Sequence, residues 1–208
     1  MIISSTMDSP QYAPDTRFRT AGWLSILGIF VTGVDVVITI MSLSNPNLKP
    51  LYLVRIPLIT LRVGFEVYVF VQLKRLLNER YDIRAANWII TGMIVLDIVW
   101  GVDAMMIFPF VGLPPVEFLG ILHTVIAALL FLTLFGVLGI MLGVYLLRVR
   151  EDPSGLFRIF AILYIVTSSC MATVILSPIA MLPGLVASVI LAILFFRAAE
   201  AEPQVEFV

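Results

Sequence analysis

The chain has 208 residues, of which 61% are hydrophobic and only 13% are charged, and its mean hydropathy is +1.07. Soluble domains are about 45 to 50% apolar, so this composition predicts an integral membrane protein without a sizeable soluble domain. The formal net charge of −1 and the shortness of the basic segments argue against nucleic acid as a partner.

Six apolar segments are long enough, or nearly so, to cross the lipid bilayer as helices, because one crossing takes about 20 residues. They lie approximately at residues 21–43, 51–73, 87–109, 117–147, 157–177 and 180–197. A membrane barrel is excluded, since its strands are about 10 residues long and alternate in polarity. We therefore expect an all-α integral membrane protein. Its six-span transmembrane helical bundle covers 21–197, with an N-terminal tail at 1–20 and a C-terminal tail at 198–208.

Basic residues distinguish the two faces of this bundle. The side that carries both tails holds ten of them: Arg17, Arg19, Lys74, Arg75, Arg80, Arg84, Arg148, Arg150, Arg158 and Arg197. The opposite side has Lys49 and Arg55. Because short cytoplasmic loops are enriched in Lys and Arg, we expect both termini to be cytoplasmic. The location expected for such a multi-pass protein is the cell membrane.

The tripeptide Gly-Val-Asp places an acid inside both the first and the third span. These acids are Asp35 and Asp103, and since the two spans run in the same direction, both are expected in the outer half of the membrane. Asp97, also on span three, falls near the midplane. A charge at the centre of a membrane helix costs roughly 2.5 to 3.5 kcal/mol, so each of these carboxylates needs a partner.

The second span carries the expected partners. Arg55, Arg62 and Glu66 are separated by seven and four residues, which places them within about 40° of one another on a helix. By depth, we expect Arg62 to pair with Asp97, and Arg55 to pair with one of the two Gly-Val-Asp acids. Glu66 is expected to pair with Arg62 across one turn or to lie toward the cytoplasmic side.

Acids outnumber arginines in this region. Four acids, Asp35, Glu66, Asp97 and Asp103, face two arginines, which leaves a formal charge of −2. At least one acid is therefore expected to be protonated, solvated through a cavity or matched by a bound cation. His123, about two turns into span four, is a further candidate, either as a ligand or as a hydrogen-bonding group between helices.

Span four also carries a glycine face. Gly136, Gly139 and Gly143 lie within about 60° of one another on a helix. Small residues at this spacing predict close helix packing, either within the bundle, between copies of the chain as a homo-oligomer, or against a partner membrane subunit.

Span five carries a polar repeat. Ser169, Thr173 and Ser177 recur every fourth residue, which places them on one helix face. We expect them to line the bundle interior or to form ordinary contacts between helices.

Known catalytic and metal-binding signatures are missing from the sequence. One His and one Cys on different spans do not make a metal site, so no metal is expected, and no cofactor is identified. The chain has no Gly-rich phosphate loop, no Gly-x-Ser-x-Gly elbow and no His-Glu-x-x-His helix. The Gly-Val-Asp segments also differ from the Gly-x-Gly-Asp signature of intramembrane aspartyl proteases.

These residues support one leading hypothesis. The chain binds or transports a polar or cationic small solute, or protons, through a charged site between spans one, two and three that opens to the outer side. Asp35 and Asp103 would be outer ligands, Asp97 with Arg62 a central gate, and Glu66 a group on the inner route.

Two alternatives stay open at this point. One is a structural or regulatory membrane subunit whose interior ion pairs only stabilise the bundle and whose glycine face docks a partner. The other is a lipid-modifying membrane enzyme, which would need an open lateral groove between spans two and three.

Overall fold

A computed structural model of the chain describes residues 15–44, 52–107, 117–149 and 155–200. Every regular element in these ranges is helical, which confirms the all-α prediction for the described part of the chain. The helices are α1 (Thr16–Ser44), α2 (Tyr52–Tyr81), α3 (Asn87–Ile107), α4 (Glu117–Leu146), α5 (Leu156–Ala172) and α6 (Ser177–Glu200), with one 3-10 turn at Arg84–Ala86. All of these α-helices except α5 are long and apolar enough to cross a membrane, which marks the chain as an integral membrane protein.

Two helices extend at one end by five or more residues beyond the apolar segments that the sequence predicts. Helix α1 begins five residues earlier than expected because Phe18 already packs into the core, where its ring stacks on that of Phe195 at 6.3 Å between centroids. Helix α2 continues eight residues past the expected end, to Tyr81, whose ring contacts that of Phe157 at 4.8 Å. At 1.5 Å per residue, the 30 residues of α2 span about 45 Å, more than the hydrocarbon thickness of a bilayer.

The connection between α5 and α6 corrects the prediction for span five. Helix α5 ends at Ala172, and Val174 takes a φ of 58°, a left-handed conformation that β-branched residues rarely adopt. Ser177 is the first residue of α6, followed by a proline that the first turn of a helix tolerates. The expected stripe of Ser169, Thr173 and Ser177 on one helix face is therefore wrong.

The helices form a ring in chain order. Each helix packs against the next, and α6 returns to pack against α1. Neighbouring helices run antiparallel, as shown by contacts between the end of one and the start of the next. Examples are the Asp35–Arg55 pair between α1 and α2 and the hydrogen bond from Lys74 Nζ to Thr91 Oγ1, at 3.2 Å, between α2 and α3.

The glycine face of α4 lies against α5. A Cβ on Gly136 would lie 2.6 Å from the backbone nitrogen of Ala172 and from the backbone oxygen of Ser168 in α5. A Cβ on Gly139 or Gly143 would collide with side chains of α5 as well. The close packing predicted for these glycines thus occurs inside the bundle. The expectation that they form a docking surface for a partner is not met, because α5 already covers them.

The apolar core occupies one end of the ring. Its largest fully buried apolar side chains are Leu73, Leu76, Leu77, Ile89, Ile90, Met93, Leu142, Leu146, Phe157, Phe160 and Phe195. We call this end the basic end, because it also carries Arg17, Arg19, Lys74, Arg75, Arg80, Arg84, Arg148, Arg158 and Arg197. In the opposite half, few of the described residues are buried, and those are Asp35, Ile59, Gly101, Thr167, Ser168, Ala180 and Ala187.

Candidate functional site

Among the described residues, the charged groups within the bundle form three separate clusters. Two of them lie in the half opposite the basic end, one between α1 and α2 and one between α3 and α4. The third lies between α2 and α3, at the middle of both helices. Asp97 is ten residues from either end of α3, which corresponds to about 15 Å of helix in each direction.

The first cluster is a closed ion pair between Asp35 and Arg55. The Arg55 Nε donates a hydrogen bond of 2.9 Å to Asp35 Oδ1, and the two side chains are only 12% and 13% exposed. This is one of the two pairings that the sequence allows for Arg55. The pair is neutral as a whole and ties the end of α1 to the start of α2.

The second cluster joins Asp103 of α3 to His123 of α4. The distance between His123 Nε2 and Asp103 Oδ1 is 3.0 Å, and both side chains are partly exposed. Asp103 is therefore bonded to α4, whereas Arg55 is bonded to Asp35 of α1. The two Gly-Val-Asp acids lie in the same half of the bundle, as the sequence predicts, but each is bonded to a different helix pair. They do not form a shared pair of ligands in this structure.

The central cluster consists of Arg62 and Glu66 of α2 and Asp97 of α3. The Arg62 Nε lies 3.6 Å from Glu66 Oε1, across one helical turn. Asp97 is 1% exposed, and its carboxyl lies within hydrogen-bonding range of the Glu66 carboxyl and close enough to Arg62 to interact electrostatically. The predicted ion pair between Arg62 and Asp97 is not formed among these described side chains. Asp97 faces the second acid of the cluster instead.

A glycine allows this meeting of α2 and α3. A Cβ on Gly101, one turn from Asp97, would lie 2.7 Å from Cγ2 of Val63, which is adjacent to Arg62. A larger residue at position 101 would therefore require the Val63 side chain or the helix backbones to move. The small residue therefore determines how closely the carboxyls of Glu66 and Asp97 approach each other.

Two atoms of the central cluster are buried without a hydrogen-bond partner. They are Asp97 Oδ2 and Arg62 Nε. Buried polar groups in native proteins are nearly always satisfied, and an unsatisfied one indicates a missing ion, proton or water, or a functional role. Ionised carboxylates only accept hydrogen bonds, so Asp97 and Glu66 form a mutual hydrogen bond only when one of them carries a proton.

The sequence interpretation missed two residues beside this cluster. Tyr164 of α5 lies within electrostatic range of Glu66 and Asp97, and its hydroxyl donates to Met93 Sδ at 3.9 Å. A thioether sulfur is a weak acceptor, so the phenol has no strong hydrogen bond in this position. The available signal was a tyrosine in the middle of an apolar span, because such a hydroxyl normally requires a polar neighbour.

The central cluster has two carboxyls and one guanidinium, so it carries a formal charge of −1 when all three groups are ionised. One proton or other single positive charge held between the neighbouring carboxyls of Glu66 and Asp97 would cancel this charge. The Asp35 and Arg55 pair, in contrast, has no net formal charge. The central cluster is therefore the candidate functional site.

Comparison with known proteins returned no relative from which a function could be transferred. The chain matches no protein-family model, and it matches neither a curated protein nor a solved structure.

Proposed function

We propose that the chain forms a six-span membrane protein with both termini in the cytoplasm. Helix α5, with 17 residues, covers about 26 Å, close to the roughly 30 Å of a hydrocarbon core. It packs between α4 and α6 and continues the alternation of direction around the ring. The basic end then faces the cytoplasm, in agreement with the preference of Lys and Arg for that side.

We further propose that this protein transports protons, and that the facing carboxyls of Glu66 and Asp97 hold the proton in transit. The observation that supports this most strongly is Asp97 Oδ2, which is buried in the middle of α3 with no hydrogen-bond partner while a second carboxyl faces the same side chain. A proton between the two carboxyls satisfies this oxygen and removes the formal charge of −1. Ionisable groups at this depth commonly mark such relays.

A proton fits the site better than a metal cation does. A bound Ca²⁺ takes six to eight oxygen ligands and Mg²⁺ takes six, whereas a proton needs only two facing oxygens. The described side chains at the site supply the carboxyls of Glu66 and Asp97 and the hydroxyl of Tyr164. A polar or cationic small solute would have to enter from the looser half of the bundle and bind above these groups.

The uneven packing of the bundle supports access from the outer side. Side chains at the basic end fill the interior, so that end is closed in this conformation. At the middle of the bundle the side chain of Glu66 is 37% exposed, and in the other half the side chain of His123 is 55% exposed. In the proposed cycle, the proton reaches Glu66 from the outer half, and release to the cytoplasm requires the apolar core to open.

The test is proton flux into liposomes that contain the purified protein and a pH-sensitive dye. A potassium diffusion potential drives protons inward, and we expect faster acidification than in protein-free liposomes. Asp97→Asn and Glu66→Gln should return the rate to background. The matched control is Glu79→Gln, the same chemical change on the same helix but outside the cluster, which should keep the original rate. An Asp97→Asn rate equal to that of the unmodified protein would overturn the proposal.

A structural or regulatory membrane subunit is the second candidate. The observation that favours it is the closed Asp35–Arg55 pair, which only joins two helices. Under this hypothesis the Asp97 and Glu66 variants lose stability without any change in flux, and a partner co-purifies with the chain. The covered glycine face of α4 removes the docking surface that this hypothesis first suggested.

A further inference from the structure

A groove of about 550 Å³ lies along one face of α2, far from the Asp35 and Asp103 clusters. Its wall is formed by Gly64, Val67 and Val71, and at the basic end it is flanked by Arg75 and by Arg17 of α1. Positions 64, 67, 71 and 75 follow the spacing of a single helix face. The groove therefore has an apolar length and a positively charged end.

The length of the groove matches one leaflet of a bilayer. From position 64 to position 75 the helix rises about 16 Å, roughly half of a hydrocarbon core of about 30 Å. Gly64 lies near the middle of α2, so the groove runs from the bilayer midplane to the basic end. This is the extent of one phospholipid, with its acyl chain against the valines and its phosphate between the arginines.

The charged end of the groove has no ion-pair partner among the described residues. Among the described residues, neither the Arg17 nor the Arg75 guanidinium takes part in an ion pair. The acid nearest in sequence to Arg17 is Asp15, whose Oδ1 accepts the backbone N–H of Arg17 at 3.0 Å and so caps the helix. Two unpaired arginines at the edge of a membrane attract an anionic headgroup.

A buried amide gives a second, independent indication of a ligand. Gln72 lines the same groove, is 4% exposed, and its Oε1 is buried without a hydrogen-bond partner. An unpaired carbonyl oxygen requires a donor, which a hydroxyl-bearing headgroup supplies. A phosphatidylcholine headgroup has neither a hydroxyl donor nor a net negative charge.

We propose that this groove binds one anionic, hydroxyl-bearing phospholipid of the phosphatidylglycerol type in the leaflet at the basic end. The phosphate lies between Arg17 and Arg75, the headgroup hydroxyl donates to Gln72, and one acyl chain lies along Val67 and Val71 toward Gly64. The inference does not depend on proton transport, since the groove and the central cluster share no residue.

The test measures lipid binding by the purified full chain in detergent, using native mass spectrometry with titrated phosphatidylglycerol or phosphatidylcholine. We expect one tightly retained phosphatidylglycerol and weaker binding of phosphatidylcholine. Arg17→Gln and Arg75→Gln should each weaken phosphatidylglycerol binding about fivefold, and together about thirtyfold, given the usual contribution of a basic residue at an anionic membrane surface. Arg19→Gln and Arg158→Gln remove the same charge outside the groove and should leave binding unchanged.

A second variant tests the acyl-chain wall without removing charge. A Cβ on Gly64 meets no atom within 4 Å, so position 64 accepts a side chain, and in Gly64→Leu that side chain occupies the groove. The variant should remain folded by circular dichroism and should lose the retained lipid. Inorganic phosphate and glycerol phosphate should not compete. Equal binding of the two lipids, groove variants that match their controls, or full competition by free phosphate would each overturn the proposal.

Discussion

Replacement of Asp97 by Asn and of Asp35 by Asn should affect stability very differently, although both replace a buried carboxylate with an amide of the same shape. Asp97 faces another carboxyl, whereas Asp35 is bonded to a guanidinium. With the proposed proton in place, Asp97 donates to Glu66, and in the Asp97→Asn variant the amide nitrogen would donate in the same way. Asn at position 97 therefore imitates the protonated acid, whereas Asn at position 35 removes the negative partner of Arg55.

The structure gives the size of both effects. Loss of one partner of a fully buried ion pair costs about 3 to 5 kcal/mol. The Asp35 and Arg55 side chains retain 12% and 13% exposure, and an amide oxygen still accepts a hydrogen bond, so we expect Asp35→Asn to cost about 2 kcal/mol. In Asp97→Asn the amide nitrogen donates the hydrogen bond that the protonated acid would donate, so the expected change in stability is less than about 1 kcal/mol.

The assay is thermal unfolding of the purified protein in one detergent at neutral pH. In a chain of this length, about 1 kcal/mol corresponds to a shift in Tm of about 2 to 4 °C. Asp35→Asn should therefore lower the Tm by about 4 to 8 °C, while Asp97→Asn stays within about 3 °C of the unmodified protein. Equal losses in the two variants would refute the assignment of Asp97 to a protonated pair and of Asp35 to a structural one.

Three further predictions concern packing and can be measured in the same assay. Gly136→Ala should cost about 1 to 2 kcal/mol of stability, because the added Cβ meets backbone atoms of α5, whereas a Cβ at Gly64 meets nothing within 4 Å. Gly64→Ala should therefore gain up to about 1 kcal/mol from the higher helix propensity of alanine, and equal Tm values for the two variants would contradict this packing. Phe195→Ala should cost about 3 kcal/mol of stability by leaving a cavity in the core, whereas Phe30→Ala, at a side chain that is 66% exposed, should have little effect. Similar losses in both variants would contradict the assignment of the core to the basic end. His123→Gln should cost less than about 1 kcal/mol, since the ring is 55% exposed, and a larger loss would mean that this hydrogen bond is essential to the fold.

The sequence was sufficient to predict the helices and the positions of the charged residues along them. A run of about 20 apolar residues specifies a membrane helix, and a position along that helix specifies a depth. The same reasoning placed Asp97 at the middle of α3 and put Asp35 and Asp103 in one half of the bundle. It also limited the partners of Arg55 to two acids, of which the structure selects Asp35.

The sequence pattern could not predict which helix faces pack against one another. In a membrane, the side chains that face lipid are as apolar as those that face the core, so hydrophobicity does not reveal which face of a helix is inside. For this reason the contact of Asp103 with His123, and the approach of Tyr164 to Glu66 and Asp97, could not be predicted. The distance between neighbouring helices could not be predicted either, because it depends on which side chains of the neighbouring helix face each glycine.

The end of α5 shows a different limit. Three of the four residues at 173–176 are apolar, so composition indicated a span that continues to residue 177, yet the chain turns there because Val174 adopts a left-handed backbone conformation. No glycine or asparagine marks this position. The proline at the start of α6 was the only local indication, and it restricts the helix start without locating the turn.

The infrared spectrum of the protein in lipid at neutral pH tests the central claim most directly, because a protonated carboxyl has a carbonyl stretching band that a carboxylate lacks. We predict such a band in the unmodified protein, its loss in both Asp97→Asn and Glu66→Gln, and its persistence in Asp35→Asn. If the band is absent from the unmodified protein, or is equally strong in all of these variants, Glu66 and Asp97 do not share a proton.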